Sequence, residues 1–374
     1  MKRIFAYVMA AAVALSVMAG CAQTASSSAA ASSSEAASSS SVSSEAPASS
    51  EAPASSEAPA SSSSEAEDVE PEEDLVVNAS VLKGPTGIGM VKLMSDAENG
   101  LSENFYSFQM AGAADEIVPK IVKGEIDIAA VPANLASVLY NKTNGGVQVL
   151  AINNLGVLYI LEKGESVNSI ADLRGKTIYS TGKGTTPEYS LNYILKQNGL
   201  DPEKDVTIEY KSEAAEVVAV LAQEESAIAM LPQPAVTTAM LNTDGLRVVF
   251  DMTVEWDMIQ QQTGGSSALV TGVVIARTDF INENPDAVAA FLEEYKASSE
   301  YTASNLSDCA ALVEKYGIVP KAAIAEKAIP YCNISYIDGA DMKEKVSGYL
   351  GVLFEQNPQS VGGALPGDDF YYGA

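Results

Sequence analysis

The chain of 374 residues contains no histidine. Histidine is the usual general base near neutral pH, the base of Ser-His-Asp and Cys-His catalysis, and a frequent zinc ligand. Its absence excludes these catalytic arrangements and any His-ligated zinc site. We therefore expect no catalytic residue, no metal site and no cofactor in this chain.

Cysteine is scarce, and one of its three occurrences lies near the N-terminus. Lys2-Arg3 precedes an apolar run from Ile4 to Met18, and Ala19-Gly20 then leads into Cys21. A charged start, a short apolar run and a small-residue end are typical of a secretion signal, and the run is short for a membrane span. The sequence predicts a signal peptide over residues 1–20, with an uncleaved signal anchor as the alternative. Either way, the rest of the chain lies outside the cytoplasm.

The other two cysteines are Cys309, in a helical pattern, and Cys332, shortly after Pro330. Cysteines of exported proteins often pair. Spacing in the sequence does not give the distance between two side chains, so a disulfide and two free thiols both remain open.

Residues 21–75 lack aromatic side chains and contain almost nothing apolar larger than alanine. The sequence Ser-Ser-Glu-Ala-Pro-Ala occurs three times in tandem between Ser43 and Ala60. Such a segment cannot bury enough apolar surface to offset the entropy of ordering the chain. It is predicted to be a disordered tether with a root-mean-square reach of about 40 Å.

Positive charge is also scarce, with 22 Lys and Arg against 49 Asp and Glu. Most of the acidic residues lie after the tether, so the remaining chain is strongly acidic as well. This balance argues against nucleic acid or an anionic membrane surface as a partner. It says little about the charge of a small ligand.

One stretch of the chain occurs twice, at a constant separation of 100 residues. Each copy is preceded by a glycine-rich turn and reads as strand, turn, helix, strand, helix, apolar strand and X-Pro. The pattern predicts two similar α/β lobes. The matched pairs are Phe108 and Ile208, Ala114 and Ala214, Glu116 and Glu216, Val118 and Val218, Ile128 and Ile228, Ala129 and Ala229, and Pro132 and Pro232.

We place lobe I at residues 76–165 and 268–374, with the C-terminal helices, and lobe II at residues 166–267. The return passes through Gly264-Gly265, so the chain crosses between the lobes twice, which permits hinge closure. Ligands of open α/β sheets bind beyond the carboxyl ends of the strands. We therefore expect a ligand cleft between the lobes.

The candidate ligand site consists of the glycine turns, the strand ends and neighbouring polar residues. Free N–H groups at a helix start could hold a small anion or the oxygens of a polar solute, and amide side chains offer both donors and acceptors. A single glycine indicates no more than a tight turn, Asn134 could be a helix cap and Gln233 a solvent-facing turn, but two matched turns favour a site. The candidates are Gly84, Pro85, Thr86, Gly87, Ile88, Ala111, Gly112, Pro132, Asn134, Asn153, Asn154, Thr181, Gly182, Lys183, Gly184, Thr185, Thr186 and Gln233.

Several motifs together resemble those of the substrate-binding lipoproteins of ABC importers. The chain is most similar to the nitrate/sulfonate/taurine and pyrimidine-precursor branch, the NMT1/THI5-like family. Met18 stands where the lipid-attachment motif of these proteins usually has Leu. The motifs are Ala19-Gly20-Cys21, Lys83-Gly84-Pro85-Thr86-Gly87, Asp172-Leu173-Arg174-Gly175-Lys176-Thr177-Ile178, Gly199-Leu200-Asp201-Pro202 and Leu231-Pro232-Gln233-Pro234.

The resemblance implies an α/β protein with the type II periplasmic-binding-protein fold, whose two lobes are joined by a two-crossing hinge. It implies lipidation at Cys21 and a place on the outer face of the cytoplasmic membrane, which a monomer contacts through its lipid anchor only. The implied partners are a small-molecule ligand and the permease and ATPase of an importer. An enzyme on the same fold is the alternative, although a pyrimidine synthase of this type depends on histidine. A ligand-sensing lipoprotein also remains open.

Overall fold

The structure, a computed structural model, describes residues 75–112 and 114–374. The predicted signal peptide, the predicted lipidation site Cys21 and the predicted tether up to residue 74 lie outside the described residues. None of the helices within the described part is both long and apolar enough to cross a bilayer.

The described residues form eleven strands and thirteen α-helices that alternate through most of the chain. The strands are β1 (Val76–Leu82), β2 (Phe105–Ala111), β3 (Ile128–Pro132), β4 (Val147–Leu155), β5 (Leu158–Lys163), β6 (Thr177–Ser180), β7 (Thr207–Tyr210), β8 (Ala227–Pro232), β9 (Leu246–Asp251), β10 (Val270–Arg277) and β11 (Ile334–Ile337). The helices are α1 (Pro85–Ile88), α2 (Val91–Glu98), α3 (Ala114–Val122), α4 (Ala133–Thr143), α5 (Thr186–Gln197), α6 (Ala214–Gln223), α7 (Ala235–Asn242), α8 (Met252–Thr263), α9 (Thr278–Glu283), α10 (Pro285–Ser304), α11 (Leu306–Lys315), α12 (Ala322–Ala328) and α13 (Gly339–Gln356).

The strands build two sheets of matching topology. Lobe I has the strand order β2-β1-β3-β10-β4-β11, and lobe II has the order β7-β6-β8-β5-β9. In each sheet, the first three strands of this order are parallel to one another. The fourth strand, β10 in lobe I and β5 in lobe II, is antiparallel to the third. Ala79 pairs with Phe108, and Ile178 with Ile208, so residues 100 apart occupy equivalent places. The predicted pair of α/β lobes is therefore confirmed.

The strand that ends each repeat copy is the apolar centre of its sheet. All residues of β3 and β8 are buried except the terminal Pro132 and Pro232. Strands covered by helices on both faces are apolar throughout, rather than alternating with polar residues. The two prolines stand at the ends of these strands, where the next helix begins.

The first crossing between the lobes lies earlier than the sequence indicates. Strand β5 pairs with β8 and β9 of lobe II, whereas the sequence predicts that residues up to 165 belong to lobe I. The crossing is at Gly156-Val157, between β4 and β5. An apolar run predicts a strand, but the partner with which it forms backbone hydrogen bonds is decided by tertiary structure. The return runs from Gly264, after α8, to β10 in lobe I.

A candidate solute cleft between the lobes

A cavity of about 230 Å³ lies between the lobes, at the ends of their central strands. Pro132 of lobe I and Pro232 of lobe II both line it, so the structure brings the two X-Pro ends together. Six predicted residues line the cavity, namely Pro85, Thr86, Pro132, Asn154, Thr185 and Thr186. Seven further residues line it, namely Leu82, Lys83, Val157, Leu158, Pro187, Pro232 and Thr271.

Within the first glycine turn, Pro85 and Thr86 line the cavity, whereas its glycines do not. Gly84 has a φ of 133°, a conformation that favours glycine, and lies directly before α1. A β-carbon on Gly87 would come within 2.5 Å of the Leu82 carbonyl oxygen, so Gly87 permits close packing of the turn on β1. Ile88 is fully buried in an apolar cluster with α11 and α12. Gly87 and Ile88 therefore support the turn without lining the cavity.

In the second turn, nearby side chains already form hydrogen bonds with backbone groups of the turn. The Gly184 N–H donates to the Glu188 carboxylate, and the Thr185 hydroxyl donates to the Gly182 carbonyl oxygen at 2.6 Å. Lys183 Nζ lies 6.0 Å from the centre of the Tyr210 ring, away from the cavity. Thr181, Gly182, Lys183 and Gly184 do not line the cavity. The sequence predicts that free N–H groups of this turn could bind an anion. One of them, the Gly184 N–H, is already bonded to the Glu188 carboxylate.

Ala111, Gly112 and Gln233 are three other predicted residues that lie outside the cavity lining. The Ala111 carbonyl oxygen accepts a hydrogen bond from the Lys83 N–H at 3.0 Å, and Gly112 is exposed. Gln233 accepts from the Thr237 N–H and hydroxyl. Gln233 lines a separate groove of about 640 Å³ between α7 and α12.

Asn134 takes part in a hydrogen-bonded bridge between the lobes. Its amide group donates to the Ser360 carbonyl oxygen at 3.2 Å, and its oxygen accepts from the Thr186 hydroxyl at 3.5 Å. Thr186 in turn accepts from Tyr349 Oη at 3.1 Å. Thr186 belongs to lobe II and lines the cavity, and the others belong to lobe I, so this chain of bonds crosses between the lobes at the cavity.

A β-bulge in β4 brings together two consecutive amide side chains, of which Asn154 lines the cleft. Val273 pairs with Ile152 and Gly272 with Asn154, so Asn153 is an extra residue in β4. A bulge of this kind re-aims side chains that would otherwise alternate across the sheet. A β-carbon on Gly272 would come within 2.2 Å of Asn154 Oδ1 and 2.3 Å of Asn153 Oδ1. Both amides therefore converge on Gly272.

Gly272 packs against Asn154 and Thr86 of the cavity lining, and the sequence did not identify it. It lies inside a strand and has no conspicuous neighbours in the chain. The same β-carbon would also come within 2.6 Å of Thr86 Cγ2. A glycine inside a strand is a recognised signal of a bulge or of a close approach by another group. This is the feature of the sequence that could have identified Gly272.

The cleft is mainly apolar, and no carboxylate is among the described residues that line it. Lys83, an exposed residue at the rim, is the charged side chain of the lining. Burial raises the pKa of Tyr349 well above its usual value, so this phenol remains a neutral donor to Thr186. Burial and the nearby Asp251 charge likewise raise the pKa of Tyr159. The cleft thus offers apolar walls and the hydroxyl groups of its threonines.

Two lobes of matching α/β topology with a cleft between them define the periplasmic-binding fold, and solved structures agree. An ABC transporter from Parabacteroides distasonis has a TM-score of 0.67 at 24% identity and covers 80% of this chain and 99% of its own. The periplasmic aliphatic sulphonate binding protein of Escherichia coli has a TM-score of 0.62 at 17% identity, covering 76% and 88%. The predicted fold class is confirmed.

The family resemblance is confirmed over the middle of the chain. Residues 146–306 match the family model described as NMT1/THI5 like. A putative binding protein of Brucella abortus is 24% identical over 190 residues, which is 51% of this chain and 56% of that protein. The match thus spans about half the length of this curated relative.

Proposed function

We propose that the chain captures a small solute between its two lobes and delivers it to the permease of an ABC importer. The observation that carries this proposal is the cavity in which Pro132 and Pro232, the ends of equivalent strands, lie together. The family match and the sulphonate binding protein of similar fold support a binding role. Capture needs only a difference in affinity between open and closed states, and no chemical step.

We further propose that Cys21 carries the lipid anchor and that residues 21–75 let the folded part move relative to the membrane. The support is the sequence alone, through the apolar run and small-residue end before Cys21. Metabolic labelling with a radioactive fatty acid is expected to mark the unaltered protein and not a Cys21→Ser variant. Equal labelling of the two proteins, or no labelling of either, would argue against this anchor.

The test of capture is the identity and fate of the bound solute. Native mass spectrometry of the purified full-length protein is expected to reveal one small molecule per chain, and thermal-shift screening of sulfonates, carboxylates and pyrimidines should raise the melting temperature for its class. Incubation should return that molecule unchanged. Conversion to a product would favour an enzyme instead, and the lack of any stabilising solute would count against capture.

A further inference from the structure

We propose that the groove between α7 and α12 is a second binding site, whose occupant is an uncharged, mainly hydrocarbon molecule that stabilises the closed form of the cleft. The groove has a volume of about 640 Å³, and we name it the hinge groove. Helix α7 belongs to lobe II and α12 to lobe I, so an occupant contacts both lobes. Binding in the groove does not depend on solute capture, whereas the effect on the cleft rests on the proposed capture function.

The walls of the hinge groove are apolar side chains that an occupant can reach. Met240, Leu241 and Val248 are 40–48% exposed, and Tyr331 is 56% exposed. A contiguous exposed apolar surface is typical of a binding site, and methionine adapts its shape to different partners. A volume of this size accommodates two linked or fused rings. The apolar side chains of the lining are Val236, Met240, Leu241 and Val248 of lobe II and Pro330 and Tyr331 of lobe I.

The polar groups of the lining favour an occupant without charge. Glu326 and Lys327 are both exposed, and their opposite charges leave the lining without net charge. Gln233 Oε1 already accepts a hydrogen bond from the Thr237 hydroxyl at 2.9 Å. An ion on these walls would lose hydration, and one of the two neighbouring charges would repel it. Hydrocarbon surface instead gains free energy by leaving water.

The hinge groove and the solute cavity lie on opposite sides of β5 and of the end of β8. Successive residues of a strand point to opposite faces of its sheet. In β5, Leu158 lines the cavity and Tyr159 lines the groove. After β8, Pro232 lines the cavity and the next residue, Gln233, lines the groove. The first crossing between the lobes, which leads into β5, therefore separates the two spaces.

Both walls of the hinge groove are bonded to this crossing. From lobe II, the Gln233 N–H donates to the Val157 carbonyl oxygen at 3.0 Å. From lobe I, the Asn333 side chain donates to the Gly156 carbonyl oxygen, and Asn333 follows Tyr331 of the groove by two residues. A rotation of the lobes about the crossing thus moves the two walls relative to each other.

A pivot between two spaces couples their widths. Rotation that widens the cavity on one side narrows the hinge groove on the other, and an occupant of the groove opposes that rotation. The occupant thereby favours the closed form and raises the affinity for solute. Because coupling between two binding sites is reciprocal, a solute in the cavity should raise the affinity of the groove by the same factor.

Phenylnaphthylamine, an uncharged aromatic dye whose fluorescence rises in apolar surroundings, tests the site. The chain from residue 22 onward keeps every described residue and needs no detergent, which could itself occupy the groove. It should bind one dye molecule. Anilinonaphthalene sulfonate is the same dye with a sulfonate added, and it should bind the groove about tenfold more weakly, because the charge must be desolvated.

A matched pair of variants assigns the dye to the hinge groove. Met240→Trp places a larger side chain in the groove and should weaken binding of phenylnaphthylamine about tenfold. Met258→Trp is the control, since Met258 of α8 is 41% exposed against 40% for Met240 and does not line the groove. It should leave dye binding unchanged. Leu241→Trp repeats the test at a second position of the groove.

Hydrogen–deuterium exchange tests the coupling without any solute. Phenylnaphthylamine should slow exchange about fivefold in peptides that cover residues 82–88 and 184–190. These segments line the cavity and not the groove, so the dye does not cover them directly. Met240→Trp should slow the same peptides without dye, because its side chain also opposes opening. Calorimetry with the solute that native mass spectrometry identifies should show about fivefold tighter binding when the dye is present.

The site is overturned if phenylnaphthylamine does not bind, if both tryptophan variants at Met240 and Met258 bind it equally, or if the sulfonate dye binds the groove as tightly. Dye binding without slower exchange at the cavity overturns the coupling. These failures are separate from failure of capture. A protein that has no solute but shows dye-dependent protection of the cavity would uphold the hinge groove while counting against capture.

Discussion

Glu162 illustrates how this fold accommodates a buried charge when partners are provided. Burial opposes ionisation of this carboxyl, but hydrogen bonds from the Ser166 hydroxyl and N–H, from Arg247 and from the Val167 N–H outweigh it and lower its pKa. Because the native pKa is lowered, its stabilising contribution is complete above the unfolded value of 4.5 and is lost as the pH falls through the native value. The buried side-chain oxygens of Asn153 and Asn154 have no such partners among the described residues.

The two cysteines of the folded part are buried thiols. Cys309 and Cys332 are both free and lie in one apolar cluster of lobe I. Burial raises the pKa of the Cys309 thiol, and burial together with the nearby Cys309 raises that of Cys332 to about 12. The thiolate is the reactive form of cysteine, so both should be inert in the native protein.

We predict the outcome of a thiol titration on the Cys21→Ser protein at pH 8. Native protein should release almost no colour from Ellman's reagent, because a pKa of about 12 leaves little thiolate at Cys332. Denaturant without reductant should expose two reactive thiols per chain. No reactive thiol after unfolding would instead show that Cys309 and Cys332 form a disulfide in the purified protein.

At the scale of elements, the bulge in β4 and the glycine in β10 act as one unit. The bulge turns the Asn153 and Asn154 side chains toward Gly272, which provides the space that they occupy. A side chain at position 272 would collide with Asn153, Asn154 and Thr86 together. This local irregularity thereby sets the position of Asn154, which lines the cleft.

We predict that Gly272→Ala weakens binding of the co-purified solute at least about tenfold and lowers the free energy of unfolding by about 2 kcal/mol, since an added methyl group must displace packed atoms. Calorimetry and urea unfolding measure the two effects. Gly351→Ala is the control, because its β-carbon in α13 meets nothing within 4 Å. That change should stabilise the protein by about 0.7 kcal/mol and leave binding intact. Equal binding by both variants would remove Gly272 from the site.

At the scale of the whole molecule, hydrogen bonds join the lobes on two sides. Tyr349 and Asn134 of lobe I bond to Thr186 of lobe II, and Tyr159 of lobe II donates to the Tyr331 carbonyl oxygen of lobe I at 2.9 Å. The chain itself crosses between the lobes twice. These contacts are compatible with a closed arrangement that exchanges with an open one through the two crossings.

We predict that Tyr349→Phe shifts this equilibrium toward the open form. Loss of one buried hydrogen bond of about 1 kcal/mol should weaken solute binding about fivefold, because closure stabilises the bound state. Small-angle scattering should show a larger radius of gyration without solute than for the unaltered protein. Tyr301→Phe is the control, since Tyr301 bonds to Asp308 within lobe I. Identical scattering and affinity in the Tyr349 variant would contradict a role in closure.

The fold could be predicted from the sequence because its signals are local or repeated. The apolar runs ending at Pro132 and Pro232 identify central strands, and their separation of 100 residues identifies equivalent lobes without knowledge of any contact. Thr86, Thr185 and Thr186 could be placed near the cleft because strand ends and helix starts meet at one edge of an α/β sheet.

Tertiary structure alone decided which neighbouring residues face the cleft and with which atoms. Strand β5 joins lobe II because of its hydrogen-bonding partners, and Gln233 lines a different groove from Pro232 although they are adjacent in sequence. The pairing of Asn153 and Asn154 with Gly272 arises from one extra residue in the register between distant strands. Local sequence determines whether a segment is a strand, but register is a property of two segments and emerges only when the chain brings them together.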